Sequence, residues 1–185
     1  MAVARTLAIG GNIWFADETT LREFPPLRAA WARRGEQAAV TISGRNSRRV
    51  LHGAMNVVTG EVVRVVRERN RGADSAALIA ALAARTAAGK SLLVWDNAPP
   101  HHTHVARETA EATGIAIMPL PFRSPELMPC EDVWREMKRT VAANRAYADV
   151  DELAQRGVGW LDDHSPDEIL RIAGLRSSKF DWLPT

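Results

Sequence analysis

Apolar positions along the chain fall into short blocks, and the spacing within each block separates strands from helices. Asn12 to Phe15 is a brief apolar run that stops at Asp17-Glu18, the pattern of a buried strand with acids at its carboxyl end. The residues before it carry Arg5 and an apolar stretch broken by Gly10-Gly11-Asn12, which reads as a lead into the strand and not as a signal peptide. Val50 to Val58 and Glu61 to Val66 are β-branched runs separated by Thr59-Gly60, a hairpin signal. Ser91 to Trp95 is apolar up to Asp96, and Ile115 to Met118 forms a further short buried strand. Asp74 to Ala88 is Ala/Leu-rich, opens on a capping Asp-Ser pair and closes at Gly89, so a helix is expected there. Thr103 to Ala112 reads as a second helix ended by Gly114, and Cys130 to Ala143 as a third, after the turn Pro119 to Pro129. Tyr147 to Leu161 and Ser165 to Ala173 complete the set, the last with Ser165 as cap and Pro166 at its first position.

A hairpin-rich group followed by alternating strands and helices predicts an α/β fold, in which an antiparallel meander adjoins parallel strands and helices flank the sheet. No internal repeat and no long linker divides the chain, so residues 1–185 read as a single domain. Leu21 to Gln37 is polar and Pro-containing, with Arg22, Arg28, Arg33 and Arg34 around Trp31, and reads as a surface excursion. Ser43 to Arg49 reads as a mobile basic loop.

Composition narrows the class. With 46% hydrophobic and 25% charged residues, the chain suits a compact core and not a disordered one. No apolar run approaches the roughly 20 residues that cross a bilayer. The lone Cys130 excludes an internal disulfide and a Cys-rich zinc site, which points to a reducing cytoplasm. Net charge is only +2, yet 21 of the 24 basic residues are arginine, whose guanidinium forks suit phosphates. A GC-rich genome gives the same bias, so composition alone does not name a partner.

Three acids carry the chemistry. Asp96 ends a buried strand and is followed at once by Asn97-Ala98-Pro99-Pro100-His101, the place where open α/β sheets bind ligands, although an Asp there also serves as a turn former. Glu131 falls in the first turn of a helix just after Pro129, where the dipole favours an ionised carboxylate; the same placement also suits a purely stabilising acid. Glu131, Trp134 or Arg135, and Lys138 share one helical face. With Asp17-Glu18 they form an all-oxygen set suited to Mg²⁺ or Mn²⁺ and unsuited to zinc. Two such ions about 4 Å apart serve in-line displacement at phosphorus. His101, His102 and His104 lack a further ligand at metal spacing, and His101 is instead expected to face substrate or to stand behind the acids. Arg33, Arg34, Arg45, Arg48 and Arg49 are candidates for phosphate contacts or a solvated surface.

Four strings in order resemble a known family: Phe15-Ala16-Asp17-Glu18-Thr19, Ala30-Trp31-Ala32-Arg33-Arg34-Gly35, Trp95-Asp96-Asn97-Ala98-Pro99-Pro100-His101, and Leu120 through Trp134. They are similar to the signatures of the mariner-like bacterial insertion-sequence transposases, the DDE superfamily endonucleases, from about Asn12 to Val141. The 34 residues between Asp96 and Glu131 (97 to 130) match that group's spacing. The resemblance implies a ribonuclease-H-like fold, with Asp17, Asp96 and Glu131 as the catalytic, metal-binding triad, Mg²⁺ or Mn²⁺ as a pair of ions, and DNA as substrate. Glu18 lies beside the first aspartate without belonging to the triad. His101, Trp134, Arg135, Lys138, Arg33 and Arg34 are then the expected substrate contacts.

The chain departs from the family at Met128, usually Asn, and at Cys130, usually Ile, for which packing changes are expected. Family members also carry helix-turn-helix modules ahead of the catalytic domain, and only 16 residues precede Asp17 here. That leaves open the second reading frame of a split element, with an upstream-encoded recognition chain as partner, a truncated remnant, or a fragment, and it admits a homodimer. The alternatives are an inactive remnant acting as a DNA-binding or oligomerisation module, and a related nuclease acting on RNA hybrids or junctions.

Overall fold

The computed structural model describes residues 2–183 apart from Ala38, Thr41, Ser43, Arg123 and Trp182. Helix α1 (Ala2–Ala8) leads into strand β1 (Asn12–Arg22), followed by β2 (Arg48–Asn56) and β3 (Val62–Arg67). Helix α2 (Gly72–Ala83), strand β4 (Ser91–Trp95), helix α3 (His104–Thr113) and strand β5 (Ile115–Pro119) come next. Helices α4 (Cys130–Val141), α5 (Val150–Asp162) and α6 (Pro166–Ile172) close the chain, with short 3₁₀ turns at Pro99–His102, Pro125–Leu127 and Ser178–Phe180.

The five strands form one sheet in the order β3-β2-β1-β4-β5. The β1–β2 and β2–β3 pairs are antiparallel, while β1–β4 and β4–β5 are parallel. This is the expected meander joined to parallel strands. Gly60 turns the β2–β3 hairpin at φ 80°, and a Cβ there would stand 2.1 Å from the Pro166 carbonyl oxygen, so glycine is required twice over.

Alternation along the central strands divides the core into two layers. Ile13 and Phe15 of β1 and Leu92 and Val94 of β4 pack with Val133 and Met137 of α4, Leu153 of α5 and Ile169 of α6. Trp14, Ala16, Leu93 and Trp95 pack on the other face with Leu78, Ile79 and Leu82 of α2 and Ala106 and Ala110 of α3. Among the described residues no helix is long and apolar enough to cross a membrane.

Several boundaries differ from expectation. The lead-in before Asn12 is helical, because Ala2 to Ala8 is rich in helix-forming residues and packs Val3 and Leu7 onto the core. Strand β1 does not stop at Asp17. Its parallel pairing with β4 ends at Phe15↔Val94, while its antiparallel pairing with β2 continues to Arg22↔Arg48. Helix α2 begins two residues early, with the Asp74 carboxylate accepting from the Arg71 amide at 2.9 Å, and ends at Ala83 instead of Ala88. Helix α5 starts at Val150, capped by Asp149.

The excursion after β1 hangs from a closed base: beyond Arg22↔Arg48, the Glu23 amide donates to the Ser47 carbonyl at 2.9 Å. Of the basic loop read from the sequence, Ser43 lies outside the described residues, and Arg48 and Arg49 open β2. Arg49 forks onto Asp151 at 2.7 and 2.8 Å, and Arg45 meets Glu23 at 2.6 Å, so these two bases hold the fold together.

Candidate active site

Asp17 stands where β1 loses one neighbour and keeps the other. Pairing with β4 stops two residues earlier, and Gly53 of β2 lies directly opposite. The missing side chain at Gly53 admits the Trp134 ring, which a Cβ there would meet at 2.5 Å. Trp134 is only 3% exposed and belongs to the core on the α4 side. Its packing holds α4 against the sheet. A second tie is the Cys130 thiol, which donates to the Phe15 carbonyl at 3.1 Å. Burial pushes that thiol's pKa up, so it stays protonated as a donor. Together these contacts fix the first turn of α4, and with it Glu131, beside Asp17.

Asp96 follows β4 directly. Its Oδ1 accepts from the Ala98 amide at 3.0 Å, an Asx-type turn that bends the chain into the Pro99–His102 turn. The adjoining Asn97 side chain donates to the Leu120 carbonyl, which ties the turn to the end of β5.

Asp17, Asp96 and Glu131 therefore reach one cleft of about 350 Å³, lined also by Asn97, Pro121 and Ser124. Burial, with the negative charges of Glu18, Glu131 and Asp96, raises the Asp17 pKa from 3.8 to about 7. Among the described residues no three His, Cys, Asp or Glu side chains are gathered tightly enough to make a ready-built metal cluster. The donor set nevertheless fits a hard cation: all three groups are carboxylates, and the raised pKa of Asp17 marks negative charge that lacks compensation.

A second cleft of about 470 Å³ adjoins the first, sharing Asp17 and Glu131 and bringing in Thr19, Arg28, Trp134, Arg135 and Lys138. Arg135 is ion-paired with Asp132, which Lys179 also contacts, so Asp132 is committed to the fold while its neighbour Glu131 faces the clefts. Arg28 reaches this cleft because Asn144 grips the excursion: the Asn144 side chain accepts from the Arg28 amide at 2.8 Å and donates to the Arg28 carbonyl at 2.9 Å. Arg33 and Arg34 are exposed and line neither cleft. Arg123 lies outside the described residues.

Behind Asp96 lies a polar cluster. His101 is 3% exposed, stacks on Trp95 at 3.8 Å between ring centroids, and brings Nε2 to 3.0 Å from Asp96 Oδ1 and 3.5 Å from Glu18 Oε1. Its Nδ1 meets the Ser75 hydroxyl at 3.1 Å. His52, opposite Glu18 in the β1–β2 register, places Nδ1 3.4 Å from the same Glu18 oxygen. Burial raises the Glu18 pKa, but the His101 and His52 imidazoles beside it prevail and bring it down to about 2. Sequence reasoning missed His52, Ser75 and Arg28. The first two come together only through long-range register, whereas the run of bases around Trp31 had marked Arg28's neighbourhood.

Residues 12–154 match the family described as DDE superfamily endonuclease. The chain belongs to that family. An "Insertion element IS630 uncharacterized 39 kDa protein" of Shigella sonnei is 26% identical over 159 residues, which is 83% of this chain and 46% of that relative. The chain thus spans about half the length of the curated relative it matches. The pre-cleavage Mos1 transpososome superposes with a TM-score of 0.72 at 15% identity, covering 98% of this chain and 58% of that one. The mariner Mos1 paired-end complex with Mg gives 0.71 at 15% identity, over 97% and 57%. At such identities the likeness establishes the fold, and the mixed sheet flanked by helices is ribonuclease-H-like.

Proposed function

We propose that this chain is the catalytic domain of a DNA transposase, which hydrolyses a DNA phosphodiester and then joins the freed 3′-hydroxyl to a target strand. The observation that carries this reading is the convergence of Asp17, Asp96 and Glu131, from a strand, a turn and a helix far apart in sequence, on one cleft.

Asp17, Asp96 and Glu131 are the groups that would hold two Mg²⁺ or Mn²⁺ ions; such ions, when bound, activate the attacking oxygen and stabilise the leaving one. In the first step water attacks phosphorus in line, the P–O3′ bond breaks, and the 3′ oxygen leaves as a hydroxyl. In the second that 3′-hydroxyl attacks a phosphorus of the target and displaces its 3′ oxygen, with no covalent protein intermediate. The carboxylates hold the ions, while Arg28, Arg135 and Lys138 along the second cleft hold the flanking backbone in register. Arg33 and Arg34 serve as outer phosphate contacts on the excursion. The Mos1 paired-end complex solved with Mg supports the choice of ion.

The reading takes residues 1–185 as one catalytic domain working in the cytoplasm on DNA, with pairing of two copies at the ends. Incubation with Mn²⁺ and supercoiled plasmid tests it. Nicked circles that disappear for Asp96→Asn are expected; equal nicking by the variant refutes the assignment.

A further inference from the structure

We propose that His101 is a positioning residue that shares one ring N–H between Glu18 and Asp96, and so dictates which oxygen of Asp96 is left for a divalent cation. The inference rests on the reading of Asp96 as a metal ligand.

The tautomer follows from what the ring faces. Nε2 looks at two carboxylate oxygens, Asp96 Oδ1 at 3.0 Å and Glu18 Oε1 at 3.5 Å, and ionised carboxylates only accept. The proton therefore belongs on Nε2. On the other side of the ring, Nδ1 faces the Ser75 hydroxyl at 3.1 Å, which is able to donate to it. Both oxygens lie within 3.5 Å of Nε2 but off the direction of its N–H, so the ring makes a close contact with each and an aligned hydrogen bond with neither.

The surroundings lock this arrangement. His101 is held flat on Trp95 and is buried, so it has no room to turn away. Glu18 is kept facing it from the far side: Asn70 donates to Glu18 Oε2 at 3.3 Å, and His52 stands against Oε1 with its own Nε2 at 3.2 Å from the Arg69 carbonyl oxygen. The Arg69 carbonyl holds the His52 ring, Asn70 holds Glu18, and Ser75 with the Trp95 ring holds His101, while His52, Glu18 and His101 meet as close polar neighbours without an aligned hydrogen bond between them.

The consequence falls on Asp96. Its Oδ1 is engaged twice, by His101 and by the Ala98 amide, whereas no partner of Oδ2 is found among the described residues. Asp96 is exposed, with 52% of its side chain accessible, so among the described residues only the Ala98 amide and His101 restrain its rotation. His101 supplies the side-chain part of that restraint. Glu18, adjacent to the triad in sequence, thereby acts on the metal site through two intermediaries and not as a ligand.

Mn²⁺ binding to the full chain, read from the free-ion signal in electron paramagnetic resonance, tests the proposal without relying on turnover. His101→Gln places an amide N–H near the position of Nε2, while His101→Asn is polar but too short to reach Asp96. The asparagine variant is expected to bind Mn²⁺ about 10–100-fold more weakly than the parent, and the glutamine variant to recover most of that loss. Equal affinity for the parent and both variants overturns the proposal. So does an equal loss in both variants with folding intact, because it shows a packing role with no need for the N–H. Asp96→Asn separates the two levels: if it binds Mn²⁺ like the parent, the metal-site reading itself fails.

Discussion

Asp17 and Glu18 are adjacent in β1 and serve opposite faces of the sheet. Asp17 continues the side of Ile13 and Phe15, towards α4 and Glu131, while Glu18 continues the side of Trp14 and Ala16 and meets His52 and His101. Parity along the strand, and not acidity, decides which of them lines the first cleft with Asp96 and Glu131.

That division predicts unequal losses. Asp17→Asn, Asp96→Asn and Glu131→Gln are each expected to lower Mn²⁺-dependent plasmid nicking by more than about 100-fold. Glu18→Gln, acting from behind the ligands, should cost about 10–100-fold. Initial nicking rates check this, and a Glu18 variant as dead as the Asp17 variant would contradict it.

The pH dependence of stability has a definite sign. Burial and the neighbouring acids raise the Asp17 pKa to about 7, so the folded chain binds this proton more tightly than the unfolded one. Stability is therefore lost as pH rises from about 4 to about 7. Glu18 works the other way: held at about 2, it contributes stability above its ordinary 4.5 that disappears as pH falls towards 2. With chelator present, Asp17→Asn should melt a few degrees above the parent near pH 8 and match it near pH 4. Thermal melts across that range decide the matter, and a difference independent of pH speaks against it.

Gly53→Ala tests the seat of α4. The new methyl would enter the Trp134 ring at 2.5 and 2.6 Å, so a loss of roughly 1–3 kcal/mol is expected. Trp134→Phe removes much of the encroaching ring and should recover part of that loss in the double variant. Urea unfolding of the four proteins gives the coupling; additive effects would mean that the two residues do not oppose each other.

DNA affinity should show which bases grip phosphates. Lys138→Ala is expected to weaken binding across sequences and to reduce the slope of log K against log salt by about one. Arg49→Ala, which removes a partner of Asp151, should leave the slope nearly unchanged and lower stability instead. Salt titrations of a labelled duplex distinguish them.

Most of the sheet was legible because buried strands such as Ser91 to Trp95 are continuous apolar runs, and the three acids that line the first cleft were legible because each lies within a recognisable string. The extension of β1 to Arg22 was missed because residues beyond Asp17 pair on one side only and read as polar. Even so, Thr19 and Leu21 are buried and Thr20 and Arg22 exposed, an alternation that in principle marks a strand. The cluster behind Asp96 is another matter. Residues 18, 52, 75 and 101 are joined by strand register and helix packing, and no local window of sequence contains that information.

The base of the excursion at Arg22 and Arg48 has a bearing on how this architecture varies. Because the hairpin is zipped shut below it, lengthening the segment beyond Arg28, which lines a cleft with Asp17 and Glu131, costs only slowly growing closure entropy. Insertions, deletions and new side chains there leave the spacing of Asp17, Asp96 and Glu131 untouched. That makes this projection the part of the molecule best placed to acquire new contacts while the chemistry stays fixed.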